Sequence, residues 1–127
     1  MSKLLESGEM YLEHILLLKQ TQANVRAVDV ALHAGYSKPS VSRAMGLLKE
    51  NGMITLDEKG YISLTDKGEE VAQKIYRRHK LLAEVFERIG VDPDTADADA
   101  CRIEHFISDV TMQKIEAHLR AAKQKEI

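Results

Sequence analysis

The chain has 127 residues, 44% of them hydrophobic and 30% charged, with a formal net charge of -2. That suits one small globular body with an appended module and excludes two large independent cores. The longest apolar run, Ile15 to Leu18, falls far short of the roughly 20 residues that cross a bilayer, so no membrane contact is expected.

A single cysteine, Cys101, excludes an internal disulfide and fits a reducing compartment. The opening residues carry Glu6 and Glu9, with no apolar stretch ahead of a small-residue cleavage site, and are not expected to be a secretory leader. A cytoplasmic location follows as the expectation.

In chain order, Leu5, Met10, Leu12, Ile15, Leu16 and Leu18 predict a first helix from about Ser2 to Thr21. A short second helix is predicted at roughly Arg26 to Ala34, with Val28, Ala31 and Leu32 on its packing face and Gly35 ending it at positive φ. Ser37 is expected to cap a third helix that runs to about Asn51, with Pro39 in the first turn, where its missing N–H is not needed. Met53 to Leu56 and Tyr61 to Leu64 are β-prone runs flanking Asp57-Glu58-Lys59-Gly60, whose glycine supplies a hairpin turn. Thr65 and Asp66 open a long helix to about Ile89, striped by Val71, Ile75, Leu82 and Phe86. Two further helices are expected, about Pro93 to Ile107 and about Asp109 to Lys123, the last packing through Val110, Ile115 and Leu119. The fold class is mainly α with a small β-hairpin wing. A winged helix-turn-helix domain is expected over residues 1–65 and a helical domain over 66–127.

Charge is unevenly spread. Between Glu84 and Asp109 lie eight of the chain's 20 acids but only two of its 18 lysines and arginines, so the remainder is net positive. An acidic segment suits a cation site, and a basic remainder suits nucleic acid. Within that remainder, Ala31 inside the second helix, Gly35 at the turn and Val41 in the third form a spacing that lets two helices cross closely and present the second to a major groove. Ser37, Lys38, Pro39, Ser40, Ser42 and Arg43 open that helix with groups suited to bases and phosphates, Arg43 being the best candidate for base readout. Lys49 and the wing's Lys59 suit phosphates.

Cys101, Glu104 and His105 sit at i, i+3 and i+4, spacing that puts them on one helical face. Thiolate, carboxylate and imidazole together make a three-ligand set for a divalent transition metal. Met10, Glu13 and His79 are further candidates that spacing alone does not join to them. His14, His33 and His118 have no partner at ligand spacing and are read as surface or packing residues.

Three stretches, Glu9-Met10-Tyr11-Leu12, Arg78-His79-Lys80-Leu81 and Ala100 through Asp109, resemble the signatures of the diphtheria toxin repressor and manganese transport regulator family, in order and at matching separations. The resemblance runs from Glu9 to about Leu119. It implies that Met10, Cys101, Glu104 and His105 form an effector metal site and that His79 belongs to a neighbouring ancillary site. Asp97 stands where the iron-responsive members have a second ancillary histidine. Ala83 departs from the pattern, which has a carboxylate there, leaving Glu13, or Glu84 after a register slip, as substitutes. The chain stops short of the SH3-like domain of the iron-responsive members, so a short form is expected.

Manganese sites in that family use carboxylates where this chain has Met10 and Cys101. Soft donors favour Fe(II), with Mn(II) next. The expected function is a homodimeric repressor that binds a palindromic operator in double-stranded DNA when metal-loaded and controls metal uptake, with no organic substrate. The competing reading is a metal-independent winged-helix regulator responding to redox or a small ligand. A metalloenzyme is a distant third, since no second general base is visible.

Overall fold

The computed structural model describes residues 6–125, so the expected helix start at Ser2 and the role of Leu5 lie outside the described residues. Six helices and one hairpin follow in the order α1 (Glu6–Thr21), α2 (Ala27–Ala34), α3 (Lys38–Glu50), β1 (Ile54–Leu56), β2 (Ile62–Leu64), α4 (Asp66–Arg88), α5 (Pro93–Ile103) and α6 (Asp109–Lys125). The chain divides into two compact units, Met1–Lys74 and Ile75–Ile127, with the division inside α4.

In the first unit, α1 buries Leu12 and Ile15 with Val25, Val30, Val41, Leu48, Ile54 and Ile62. The wing strands pair antiparallel with Ile54 opposite Leu64, Thr55 opposite Ser63 and Leu56 opposite Ile62. Burial of Ile54 and Ile62 leaves Thr55 and Ser63 facing out, the alternation a half-buried strand requires. The wing is tied down by the Ile62 N–H donating to the Val25 carbonyl at 2.7 Å and by Lys19 Nζ donating to the Ile62 carbonyl at 2.9 Å.

Thr65 starts α4, its hydroxyl accepting from the Gly68 N–H at 3.1 Å and donating to the Gly52 carbonyl at 2.6 Å. Gly68 is where α4 passes against the wing, because a Cβ there would lie 1.9 Å from the Met53 carbonyl oxygen.

One packing expectation is corrected in this unit. α2 buries Val30 and Ala31, while Leu32 is 79% exposed and Val28 also faces solvent. An eight-residue helix carrying apolar side chains nearly all round gives no periodicity by which to choose its buried side.

In the second unit, Leu82, Ala100 and Met112 form a core against which Leu81, Ala83, Phe86, Ile107 and Ile115 pack. Two expectations change here. α5 stops at Ile103 instead of continuing to Ile107, and Glu104 becomes its C-terminal cap, still with right-handed helical φ and ψ. On α6, Leu119 is buried and Ile115 half-buried as expected, but Val110 is 65% exposed.

Candidate functional site

The reading head forms in the first unit. Gly35, at φ 77°, closes α2 in the left-handed region that a side chain disfavours, and its N–H donates to the Ala31 carbonyl at 2.9 Å. Two residues later Ser37 caps α3, its hydroxyl oxygen accepting from the Ser40 N–H at 3.3 Å and lying 2.9 Å from the Ser40 hydroxyl. Val41, Met45 and Leu48 anchor α3 in the core. This leaves Lys38, Pro39, Ser40, Ser42, Arg43 and Lys49 exposed. Ser37 and Ser40 are partly committed to each other, so Arg43 and Ser42 carry the freer polar groups of this face.

At the wing tip, the Asp57 carboxylate accepts from the Lys59 and Tyr61 N–H groups, each at 2.9 Å, which leaves the Lys59 side chain exposed. The Arg26 guanidinium lies 4.7 Å from the centroid of the Tyr61 ring. Sequence reasoning passed over Asp57, although an aspartate at the head of a turn is a recognisable signal for such bonds.

The candidate metal donors are distributed over both units. In the first, the Met10 sulfur accepts from the Tyr36 hydroxyl at 3.6 Å, and Glu13 is buried. His14 and His33, which stand at no ligand spacing in the sequence, meet with Nδ1 atoms 2.6 Å apart and rings nearly perpendicular.

In the second unit, α4 supplies His79, α5 supplies Asp97 and Cys101, and the turn after α5 supplies Glu104 and His105. His79 Nδ1 lies 2.8 Å from Glu104 Oε2, and His79 Nε2 lies 2.6 Å from Asp97 Oδ1. His105 Nε2 is 3.5 Å from Glu104 Oε1. Cys101 is exposed on the last turn of α5.

Arg78 holds this corner. Its guanidinium donates to the Glu104 carbonyl at 3.0 Å and the Ile107 carbonyl at 2.7 Å, and it pairs with Asp109. That role, too, was not read from the sequence, because it joins positions 26 and 29 residues apart.

The charge arrangement fits a cation. Glu104 is completely buried, and among the described residues its Oε1 has no hydrogen-bond partner. A buried carboxylate oxygen without a hydrogen bond carries a desolvation cost that a cation at this position would offset, alongside the His105 imidazole 3.5 Å away. A proton donated from each nitrogen lets the His79 ring bond both carboxylates, and a metal on either nitrogen displaces one of those bonds. Ala83 lies against the core, where it offers no donor.

Glu84, the other acidic residue named for this position, bonds Lys123 at 3.1 Å and Arg88 at 3.2 Å. Desolvation pushes that carboxyl up, but the Lys123 and Arg88 hydrogen bonds outweigh it and hold Glu84 below the usual glutamate value. No helix among the described residues is long and apolar enough to cross a membrane.

Comparison with known proteins agrees with this geometry. Residues 65–126 match the family described as iron dependent repressor, metal binding and dimerisation domain. The chain is 30% identical over 123 residues to the uncharacterized HTH-type transcriptional regulator MJ0568 of Methanocaldococcus jannaschii, covering 94% of this chain and 98% of that protein. It is also 30% identical to the HTH-type transcriptional regulator MntR of Lysinibacillus sphaericus, over 80% of this chain and 73% of the relative. A solved manganese-dependent transcriptional repressor in complex with manganese superposes with a TM-score of 0.80 at 31% identity, over 88% of this chain and 52% of the other. The chain thus spans about half the length of that repressor. These relatives are transcriptional regulators and not enzymes, and the chain belongs to the diphtheria toxin repressor and manganese transport regulator family of metal-dependent transcriptional regulators.

Proposed function

We propose that this protein is a cytoplasmic metal-dependent repressor that binds operator DNA as a homodimer and silences metal-uptake genes when loaded with Fe(II), with Mn(II) the next candidate. The observation that carries the reading is the buried Glu104 carboxylate, whose Oε1 has no hydrogen bond among the described residues, beside His79 in a chain whose first unit exposes Arg43 and Lys38 on a capped α3. Met10, Cys101, Glu104 and His105 would hold the effector ion, with His79, Asp97 and Glu13 available to a second. A bound ion supplies positive charge that draws thiolate, imidazole, thioether and carboxylate donors to one point.

The remaining work belongs to the chain's own residues. Arg78 fixes the backbone on which Glu104 and His105 stand. Ser37 fixes the start of α3, from which Arg43 reads a guanine edge while Ser42 bonds bases or phosphates. Lys38, Lys49 and Lys59 neutralise phosphates. Ile103, Phe106 and Val110 expose an apolar surface around the α5–α6 corner, with Phe106 72% accessible. That surface supports pairing of two copies, and a two-fold dimer implies a palindromic operator.

The test is operator affinity at fixed salt across a metal series, with bound metal measured on the same sample. Wild type is expected to bind DNA most tightly with Fe(II) and next with Mn(II), and Glu104→Gln is expected to lose the metal response while keeping its fold. DNA affinity that is indifferent to every divalent ion would sink the reading.

A further inference from the structure

We propose that His14 and His33 form a separate binding site, on the reading head, for a divalent cation that prefers imidazole, such as Ni(II) or Zn(II). The two residues come from different helices, yet their Nδ1 atoms converge to 2.6 Å and their ring centroids to 4.8 Å at an interplanar angle of 80°. Two imidazole nitrogens from separate elements are half of a tetrahedral zinc set, in which each nitrogen stands about 2.0–2.1 Å from the ion and the two open to about 3.3 Å from each other. As a bare hydrogen bond the contact is satisfied only when one ring carries its proton on Nδ1 and the other does not. A cation uses both lone pairs at once.

The surroundings add a second tie between the two segments, and access. Met10 stands one turn before His14 on α1, and Tyr36 follows His33 by three residues. The Tyr36 hydroxyl donates to the Met10 sulfur at 3.6 Å, so the same two segments approach each other at a second point. His33 is exposed, which opens the pair to an ion and leaves coordination positions for water. Imidazole donors place Ni(II), Cu(II) and Zn(II) ahead of Mn(II) or Mg(II). An ion here joins α1 to α2 by coordination and makes the helices that carry α3 stiffer. The site shares no histidine with the centre around Glu104.

Equilibrium dialysis of the full chain against Ni(II) tests this. Wild type is compared with His33→Ala, with His14→Ala, and with a Cys101→Ser, Glu104→Gln double variant that disables the other centre. Each histidine change is expected to lower the saturating nickel content by about one ion per chain, and the double variant to retain that ion. Equal nickel content in wild type and His33→Ala overturns the proposal. So does loss of that ion in the double variant with His14 and His33 intact. Because a histidine variant could fold poorly, imidazole nitrogen resonances are followed in the wild type as Zn(II) is added. Both His14 and His33 are expected to shift together, and unmoved resonances also overturn it. Failure of the Fe(II) response at the operator leaves these readouts untouched, so the two ideas fail separately.

Discussion

α3 and α5 begin alike and end differently. Each opens with a short polar cap in an extended conformation, Ser37 for α3 and Asp92 for α5. Each cap accepts from the N–H three residues on, Ser40 at 3.3 Å and Thr95 at 3.0 Å, and each helix has a proline in its first turn. Each C-terminal cap also donates its backbone N–H four residues back, Asn51 to Leu47 and Glu104 to Ala100, both at 3.0 Å, but beyond that bond the exits differ.

α3 is closed by its own neighbours. The Asn51 backbone N–H and side-chain amide both donate to the Leu47 carbonyl, at 3.0 and 2.9 Å, and Gly52 then turns away at φ 73°. α5 has no glycine at its end. Its last turn loosens at Glu104, where Arg78 on another helix takes the exposed carbonyls. Helix initiation is therefore local in both, whereas the termination that shapes the candidate metal centre is tertiary.

The largest expected effect comes from breaking that tertiary exit. Arg78 keeps only 12% of its side chain exposed while serving two carbonyls and Asp109. Arg78→Met leaves those carbonyls without donors and is expected to cost about 3 kcal/mol, read from urea unfolding. If the Met variant unfolds at the wild-type urea concentration, the corner is held by something else.

α4 combines the two modes at one end, since Thr65 caps it locally while Gly68 is dictated by the wing. Gly68→Ala should raise helix propensity yet destabilise by about 2 kcal/mol, because the added carbon overlaps the Met53 backbone. A rise in stability would mean that α4 does not press on the wing as described.

The same division decides what was legible in the sequence. Caps, glycine stops and the hairpin turn depend on a few consecutive residues, and Ser37, Gly35, Thr65 and Gly90 mark their boundaries to within about a residue. The buried side of α2 was not legible, because Leu32 and Val30 are equally apolar and only tertiary packing separates them. The end of α5 was misplaced because the residue that ends it lies on α4. The donor types of the candidate centre were visible in the stretch from Cys101 to His105. The bridging of Asp97 and Glu104 by His79, and the meeting of His14 with His33 across 19 residues, were not, since no spacing rule connects different helices.

A smaller effect tests the local half of the comparison. Ser37→Ala removes the α3 cap and is expected to cost about 1 kcal/mol of unfolding free energy, with operator affinity falling alongside because the reading helix frays at its first turn. Ser37→Asp should restore the stability.

The smallest effect separates the two caps by pH. The Asp92 carboxyl is held below the ordinary aspartate value, first by the Thr95 N–H and then by the Thr95 side chain. A carboxyl whose folded value is depressed contributes stability above its unfolded value and loses it as pH falls through the folded one. The first turn of α5 should therefore loosen as pH drops below the usual aspartate range. The first turn of α3, capped by a hydroxyl that does not titrate, should not loosen with it. Backbone carbon shifts at Asp94 and Thr95, compared with those at Pro39 and Ser40, report the two turns in one acid titration. Asp92→Ser, with a cap but no titrating group, should flatten the α5 response. Parallel behaviour of the wild-type and Ser variants would show that the acid sensitivity of α5 does not arise at its cap.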